Sequence, residues 1–256
     1  MKPRRSILFL AATIVLCVTV INSAQSQQAR SSSVKLGDKV IVIPDPEGFE
    51  EASSQFEIVK QALAGMETGA GDNLLLHMPT SDCERMRTGS RPELRYYTKV
   101  AVRKGLRERT FSNEDMARLV ADTRKNGAVM FDPDGPVLKS VMEKVSRRIS
   151  EAFSKQIDYE VNDSQYLGEF DVRPDVYSVM VFILYTKDVK GTKSTTATVG
   201  SMTVLKVGPR MIDIDVYRNL SSPAAVKTEL KPSVIEVKQF TTKWVNEILA
   251  ANREKQ

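Results

Sequence analysis

Three strand-like segments near the carboxyl end of the chain constrain its fold more than any other feature. All are rich in β-branched and aliphatic residues, and they are residues 176–186 (VYSVMVFILYT), 195–207 (TTATVGSMTVLKV) and 211–217 (MIDIDVY). A Lys/Gly loop joins the first two, and Gly208 and Pro209 form the second connection. Connections this short join antiparallel strands, because parallel strands need a crossover of a dozen or more residues. The three segments therefore predict an antiparallel meander.

Helix-like segments and further strands surround this meander. Apolar runs and alternation predict strands at residues 39–43, 74–78 and 94–102. Helical spacing predicts helices over 53–66, from a Ser112 cap to Asn126 and Gly127, over 137–157, and over 232–251 with Pro232 in the first turn. Helices grouped apart from a run of strands indicate an α+β fold. Because no linker rich in Gly, Pro or Ser divides residues 37–252, we predict a single domain there.

The first 26 residues have the three parts of a secretory signal peptide. Basic residues precede an apolar run over 7–21, and a polar stretch with small residues follows, so that cleavage fits after Ala24 or after Ser26. An uncleaved anchor is the alternative, but this run is shorter than the roughly 20 residues that a bilayer span needs. We expect a signal peptide at 1–26, a flexible leader at 27–36, and no stable transmembrane segment after cleavage. The mature protein is then extracytoplasmic, either periplasmic or secreted.

The predicted signal peptide also accounts for much of the positive charge. The chain has 37 basic and 32 acidic residues, and residues 1–26 contain three basic and no acidic residues. Without that segment, 34 basic residues face 32 acidic ones, a net charge of +2. A nearly balanced, exported chain is not expected to bind nucleic acid.

The cysteines and the single histidine exclude several kinds of site. Cys17 lies in the predicted signal peptide, so only Cys83 remains and no intramolecular disulfide can form in the mature chain. We expect Cys83 to be buried and unreactive, with pairing between chains as the alternative. His77 is the only histidine, which excludes zinc sites built on two or three histidines of one chain. We interpret it as a buried or half-buried sheet residue, with a Cys83–His77 dyad as the less favoured alternative. No catalytic residue, metal site or cofactor is predicted.

Several features of the sequence resemble a known superfamily. They are the turn at residues 43–49 (IPDPEGF), the hairpin at Gly208 with the helix after it, and a closing helix that carries Trp244 and ends in Ala250-Ala251-Asn252. This order is similar to exported bacterial proteins of unknown role. Those proteins resemble the αβα-sandwich superfamily of the photosystem II extrinsic protein PsbP and a yeast nuclear-import factor that binds Ran. The resemblance implies an αβα sandwich with a central, mainly antiparallel sheet flanked by helices. It also implies binding of other proteins, and it assigns no site residue.

The most uneven charge lies in residues 85–109, the basic segment. Nine Lys or Arg residues against two Glu residues give it a net charge of +7. Alternation over 94–102 places several of these side chains on one face of a strand, and we expect that face to be solvated. The predicted binding residues, for an anionic protein or an envelope surface, are Arg95, Tyr97, Lys99, Arg103 and Arg107. For this segment taken alone, an ordinary solvated face, or a surface covered by a helix that carries acids, is the favoured interpretation, and docking on these residues is the competing one.

A pair of aspartates supports the competing hypothesis, that the protein is an enzyme. Asp213 and Asp215 alternate with aliphatic residues and would lie about 7 Å apart on one face of a strand. Such a pair can do acid–base work or hold a metal, but a half-exposed strand gives the same pattern.

Two other acidic groups are weaker candidates. One surrounds the family-like turn and comprises Asp45, Glu47, Glu50 and Glu51. In the other, Asp132, Asp134 and Gly135 resemble the start of a calcium loop, but the glycine is at the fourth position and favours a turn before a helix. The preferred function is therefore a non-enzymatic binding or interaction module, and a carboxylate-dependent hydrolase or metal-assisted enzyme is the alternative.

Overall fold

The computed structural model describes residues 30–67 and 71–253, so the predicted signal peptide lies outside the described residues. The described strands are β1 (Ser31–Leu36), β2 (Lys39–Pro44), β3 (Phe49–Glu51), β4 (Gly71–Pro79), β5 (Tyr96–Arg103), β6 (Ile157–Arg173), β7 (Val176–Val189), β8 (Thr192–Val207) and β9 (Arg210–Asn219). The described helices are α1 (Glu57–Gly65), α2 (Thr80–Arg87), α3 (Asn113–Met130), α4 (Pro136–Phe153) and α5 (Val226–Asn252), with a 3₁₀ turn at Pro223–Ala225.

Seven strands form one antiparallel sheet, and the first two strands form a separate hairpin. The order in the sheet is β3-β4-β5-β9-β8-β7-β6. The predicted meander is present, since β7 pairs with β8 from Val176 opposite Leu205 to Val189 opposite Thr192, and β8 pairs in turn with β9. The strand β5 carries three of the predicted binding residues, Tyr97, Lys99 and Arg103, and it lies inside the sheet between β4 and β9.

Helix α5 and the β1–β2 hairpin cover one face of the sheet. Ile214 and Val216 of β9 pack there with Ile43 of the hairpin and with Trp244 and Ile248 of α5. The Trp244 indole is almost fully buried, and its Nε1 donates a hydrogen bond to the carbonyl of Pro44 at 2.8 Å. Burial of this aliphatic and aromatic surface is the main force that holds the hairpin and α5 on the sheet.

The opposite face carries the earlier helices. Met211, which alternates with Ile212 along β9, packs with Met116 of α3, and Leu76 of β4 packs with Val59 and Leu63 of α1. The N-terminus of α3 has the predicted Ser112 cap, reinforced by Asp115 in a capping box. Helices on both faces of an antiparallel sheet confirm the predicted α+β sandwich.

Some elements differ from the sequence prediction. Ser31–Leu36 were expected to belong to a flexible leader, but they form β1, because Val34 and Leu36 bury their side chains in the main core. The 17-residue strand β6 was not predicted; three register shifts interrupt its alternation and hide its period. The elements β3 and α2 were missed as well.

Helix boundaries also differ. Helix α5 begins at Val226, so Pro232 lies inside the helix rather than in its first turn. Helix α3 continues past Gly127 to Met130, and α4 ends at Phe153, before a left-handed Ser154.

Candidate functional site

The predicted binding face of β5 is only partly open to solvent. Lys99 lies opposite Asp215 of β9, with its Nζ 2.9 Å from Asp215 Oδ2, and the two side chains are only 19% and 6% exposed. Arg103 donates two hydrogen bonds to Asp213, from Nε at 3.2 Å and from Nη2 at 3.3 Å. The prediction of a solvated strand face is therefore wrong at Lys99, which is largely buried and paired with a carboxylate of the neighbouring strand.

Tyr97 is also held inside this face. Its ring stacks on Tyr217 with 5.1 Å between centroids, and burial raises the pKa of both phenols well above the usual range. Tyr217 lies directly opposite Tyr97 on β9. The two rings pack as a cross-strand aromatic pair, so their first role is in holding β5 to β9.

The other predicted residues lie at opposite ends of β5. Arg95 is 69% exposed and reaches Glu93 at 3.5 Å, whereas Arg107 is 46% exposed and reaches Asp72 at 4.0 Å. The eight residues of β5 separate them by roughly 25 Å at the usual rise of a strand. The structure thus divides the predicted site into an Arg95 end and an Arg103–Arg107 end, with Lys99 sequestered between them.

The second of these ends contains an exposed basic loop, residues 103–109. It presents Arg103, Lys104, Arg107 and Arg109 against a single acidic residue, Glu108. Its Leu106 packs against the cluster formed by α3 and the sheet, which anchors the loop from below.

Arg210 fixes this loop to the neighbouring β1–β2 turn. Its buried guanidinium donates to the carbonyl of Glu108 through Nη1 and to the carboxylate of Asp38 through Nη2. A Cβ at Gly37 would lie 2.8 Å from Arg210 Nη2, so glycine allows this close approach as well as its positive φ of 60°. The β8–β9 turn joins the same end, because the Phe111 amide donates to the carbonyl of Pro209 at 2.9 Å.

Beside these loops runs a surface groove of about 310 Å³ that the sequence did not predict. It lies between β2, the β8–β9 turn and the end of α5, and its lining residues are Lys39, Val40, Ile41, Lys206, Val207, Gly208, Pro209 and Asn252. A smaller groove of about 170 Å³ adjoins it at Lys206 and Gly208 and reaches Arg253. The lining residues form no recognisable ligand-binding motif. In the sequence, Gly208 was noted as part of a connection between strands and, with Asn252, as a feature of the superfamily resemblance.

The carboxylates of the enzymatic hypothesis are engaged by basic side chains. Asp213 and Asp215 share a face as predicted, but each forms an ion pair, with Arg103 and Lys99 respectively. Burial raises the pKa of Asp213, and the adjacent Arg103 opposes that shift. These two ion pairs link β5 to β9 across the sheet.

The acidic group around the turn does not form a single site. Asp45 faces His77, Glu47 pairs with Lys243, and Glu50 pairs with Arg87. Glu51 accepts hydrogen bonds from the backbone amides of Ser53 and Ser54. These four carboxylates have separate structural partners.

His77 and Cys83 lie on different sides of β4. His77 is fully buried beside Trp244, with its Nδ1 3.2 Å from Thr98 Oγ1 and its Nε2 3.4 Å from Asp45 Oδ1. Cys83 is buried in the cluster with Leu76 on the opposite face, and burial raises the pKa of its thiol to about 11. The expected buried positions of both residues are confirmed, and the dyad does not form.

The Asp132 region is a turn, as the sequence favoured. Asp132 Oδ1 accepts from the amide of Asp134 at 3.0 Å, and α4 begins immediately afterwards at Pro136.

Within residues 30–67 and 71–253, no three His, Cys, Asp or Glu side chains are grouped so that they could hold a metal ion. Among the described helices, none is both long and apolar enough to cross a membrane.

Comparisons with known proteins find similarity only at the level of solved structures. No protein-family model and no curated protein matches the chain. One similar structure is a point mutant of the protein Mog1, with a TM-score of 0.37, 12% identity, and coverage of 85% of this chain and 94% of that one. Another is the Ran-binding protein Mog1p of Saccharomyces cerevisiae, with a TM-score of 0.35, 11% identity and the same coverage.

Both of these structures are Mog1 proteins, and one of them is described as Ran-binding. They do not involve PsbP or exported bacterial proteins, so that part of the resemblance stays an expectation. Superpositions this loose carry no inference about what the chain binds.

Proposed function

We propose that this chain is a non-enzymatic binding module that docks an acidic protein partner on the basic loop, residues 103–109. The observation that supports this most is the concentration of four basic residues on seven positions of an exposed loop that Arg210 holds in place. A fixed loop loses little conformational freedom when a partner binds. Arg103 and Arg107 belong to the originally predicted set, whereas Arg95, Tyr97 and Lys99 are not needed for this docking.

The ion pairs of the loop leave its cations available. Arg107 and Arg109 are 46% and 55% exposed and reach single carboxylates, Asp72 at 4.0 Å and Asp115 at 3.4 Å. Exposed pairs of this kind contribute only about 0–1 kcal/mol each, so a partner's carboxylates can replace them at little cost.

The mixture of signs favours a protein over a lipid surface. The loop itself has a net charge of +3, but Glu108 within it and the neighbouring carboxylates of Asp72 and Asp115 interrupt its row of cations. An anionic bilayer attracts an uninterrupted cluster of cations, whereas a protein can place its own charges opposite both signs. An acidic protein partner therefore fits this surface better than the envelope surface considered from the sequence.

Export is part of the same proposal. It rests on the signal-like residues 1–26 and is tested by the intact mass of the chain recovered from the periplasm of a bacterial host. We expect a mass that lacks 24 or 26 residues. Recovery of the full-length mass in the cytoplasm would contradict export without affecting the docking proposal.

Docking is tested with a defined polyanion, fluorescently labelled poly-L-glutamate, by anisotropy at several salt concentrations. The triple variant K104Q/R107Q/R109Q should bind at least tenfold more weakly than the natural sequence. The matched control R85Q/R91Q/R95Q removes the same charge at the other end of β5 and should bind within about threefold of it. Equal losses in both variants, or no binding by the natural sequence, would refute docking at the loop. Phosphatidylglycerol vesicles test the lipid alternative, and their binding in preference to polyglutamate would overturn the choice of a protein partner.

A further inference from the structure

The hairpin strand β2 has one backbone edge that its partner β1 does not use. In an antiparallel pair, every second residue directs its N–H and C=O groups toward the partner strand. The Asp45 amide donates to the carbonyl of Arg30 at 2.9 Å, and Asp45 is one residue beyond Pro44, the last residue of β2. By alternation, Lys39, Ile41 and Ile43 face β1, while Val40, Val42 and Pro44 face away from it.

Two of these three outward positions are already occupied by side chains of α5. The Val42 amide donates to Asn252 Oδ1 at 2.9 Å, and the Val42 carbonyl accepts from Asn252 Nδ2 at 2.8 Å. The Pro44 carbonyl accepts from Trp244, and proline has no amide hydrogen to satisfy. The helix thus imitates a neighbouring strand at Val42 and Pro44.

Val40 is the remaining outward position. Among the described residues, neither its N–H nor its C=O has a hydrogen-bond partner in the protein. It lines the 310 Å³ groove, and the residue is 52% exposed although it is apolar. An apolar strand residue with an open donor and acceptor beside a groove has the features that accept an added strand.

The charges around the groove indicate the kind of strand that would bind. Lys39 and Lys206 line it, and Arg253 lies in the adjoining groove, where Asp175 is the single acidic residue and pairs with Lys206 at 2.7 Å. An extended segment with acidic side chains would complement this rim, and an apolar side chain beside them would cover Val40.

The long edge strand of the main sheet, β6, is unsuited to strand addition. Strand β6 ends the seven-stranded sheet, but three register shifts interrupt it, and it contains five acidic residues. Bulges and charges of one sign are the usual devices that block strand addition at an edge. At β2 the pairing with β1 has no register shift.

We propose that the groove beside Val40 binds an extended acidic segment of the partner protein, which adds to β2 through the Val40 N–H and C=O groups. This deepens the proposed function and rests on it, because the groove adjoins the β1–β2 turn that Arg210 ties to the basic loop. Strand addition supplies backbone hydrogen bonds, and the lysines on the rim select acidic side chains.

The test uses a synthetic peptide, acetyl-(Glu-Val)₃-amide, and the amide hydrogen exchange of Val40 measured by NMR. The Val40 amide should exchange rapidly in the free chain and at least tenfold more slowly at saturating peptide. A (Lys-Val)₃ peptide of the same length should give no protection. Unchanged exchange of Val40 with a bound (Glu-Val)₃ peptide would overturn strand addition.

Two matched variants separate the backbone contact from the side-chain contact. Val40→Pro removes the outward N–H without touching the β1 ladder, as Pro44 already does naturally. Val40→Pro should lower the affinity for the (Glu-Val)₃ peptide about five- to tenfold, which corresponds to the loss of one backbone hydrogen bond. The affinity of Val40→Ala should stay within about threefold of that of the natural sequence. Equal affinities for the two variants would overturn the proposal.

Should Val40→Pro fail to fold, the complementary change is made in the peptide. Methylating the backbone nitrogen of its central valine must then lower the affinity for the natural sequence by the same five- to tenfold, and no loss of affinity would overturn strand addition.

The experiments distinguish failure of the docking proposal from failure of the strand-addition proposal. Polyglutamate binding that depends on the basic loop, with no protection of Val40, rejects only the added strand. Protection of Val40 without dependence on the loop rejects the loop as the docking surface.

Discussion

Asn252 joins the end of α5 to the open edge of β2, and its replacement gives a stability effect that can be worked out from the structure. The residue is 4% exposed, accepts from the Val42 amide and donates to the carbonyls of Val42 and Ile248. In Asn252→Ala, the Val42 donor and acceptor both lose their partner. An unsatisfied buried group costs about 1–3 kcal/mol. Because the groove next to Val42 admits water to this partly buried edge, we take the lower part of that range for each group. The expected loss is about 2–3 kcal/mol.

The assay is urea unfolding followed by tryptophan fluorescence, since Trp244 is the only tryptophan of the chain and lies in the same helix. With a slope of about 2 kcal/mol/M, the midpoint should fall by about 1–1.5 M. The control Asn246→Ala removes an exposed asparagine whose contact is a surface hydrogen bond from Arg173, and it should change stability by less than about 0.5 kcal/mol. Asn252→Asp retains the acceptor for the Val42 amide but sets a carboxylate against two carbonyls. It should therefore be less stable than Asn252→Ala at neutral pH. A loss below about 0.5 kcal/mol in Asn252→Ala, or one equal to that of the control, would refute this account of the helix end.

Three other predictions concern charge and burial. Lys99→Met leaves the buried carboxylate of Asp215 without its cation, and the free energy of unfolding in urea should fall by about 2–4 kcal/mol. The control Lys104→Met removes an exposed lysine and should lower it by less than about 0.5 kcal/mol. Similar losses in the two variants would show that the Lys99 pair is not buried in solution. The hydrogen bond from Arg87 holds the pKa of Glu50 in the folded protein below its ordinary value of 4.5. Ionised Glu50 therefore stabilises the fold above pH 4.5, and this contribution is lost as the pH falls through the lowered pKa of the folded state. Urea midpoints should consequently fall more between pH 5 and pH 3 in the natural sequence than in Glu50→Gln, and parallel curves would contradict this linkage. Because burial raises the pKa of Cys83 to about 11, its thiol should not react with a disulfide reagent at pH 7.5 until the chain is unfolded in guanidinium; rapid reaction of the native protein would show that Cys83 is accessible.

The parts of the fold that could be predicted are those whose information is local. Strands β7, β8 and β9 follow from β-branched runs and short connections, and the start of α3 follows from Ser112 and the acids after it. Strand β1 has only Val34 and Leu36 as buried apolar residues after three serines, so its order comes from packing against distant segments rather than from its own sequence. The register shifts of β6 destroy the period that would have revealed it.

The candidate site was less accessible to sequence reasoning. Alternation placed Tyr97, Lys99 and Arg103 correctly on one face of β5, but their partners Tyr217, Asp215 and Asp213 are more than a hundred residues away. Without the pairing of β5 with β9, nothing local indicates that Lys99 is neutralised. The groove depends even more on tertiary structure, because it joins β2, the β8–β9 turn and the end of α5. The feature that we propose for binding is the pair of free backbone groups of Val40, and backbone groups leave no side-chain motif in a sequence.

Docking of a partner at the end of the molecule that bears the basic loop can be tested by mapping where an acidic ligand binds. Amide resonances of the isotopically labelled chain are followed while poly-L-glutamate is added. The largest shifts should occur in residues 37–39, 103–109 and 208–210, which Arg210 and Phe111 bring together. The largest shifts in residues 85–95, at the opposite end of β5, or shifts scattered over all basic surfaces would contradict it.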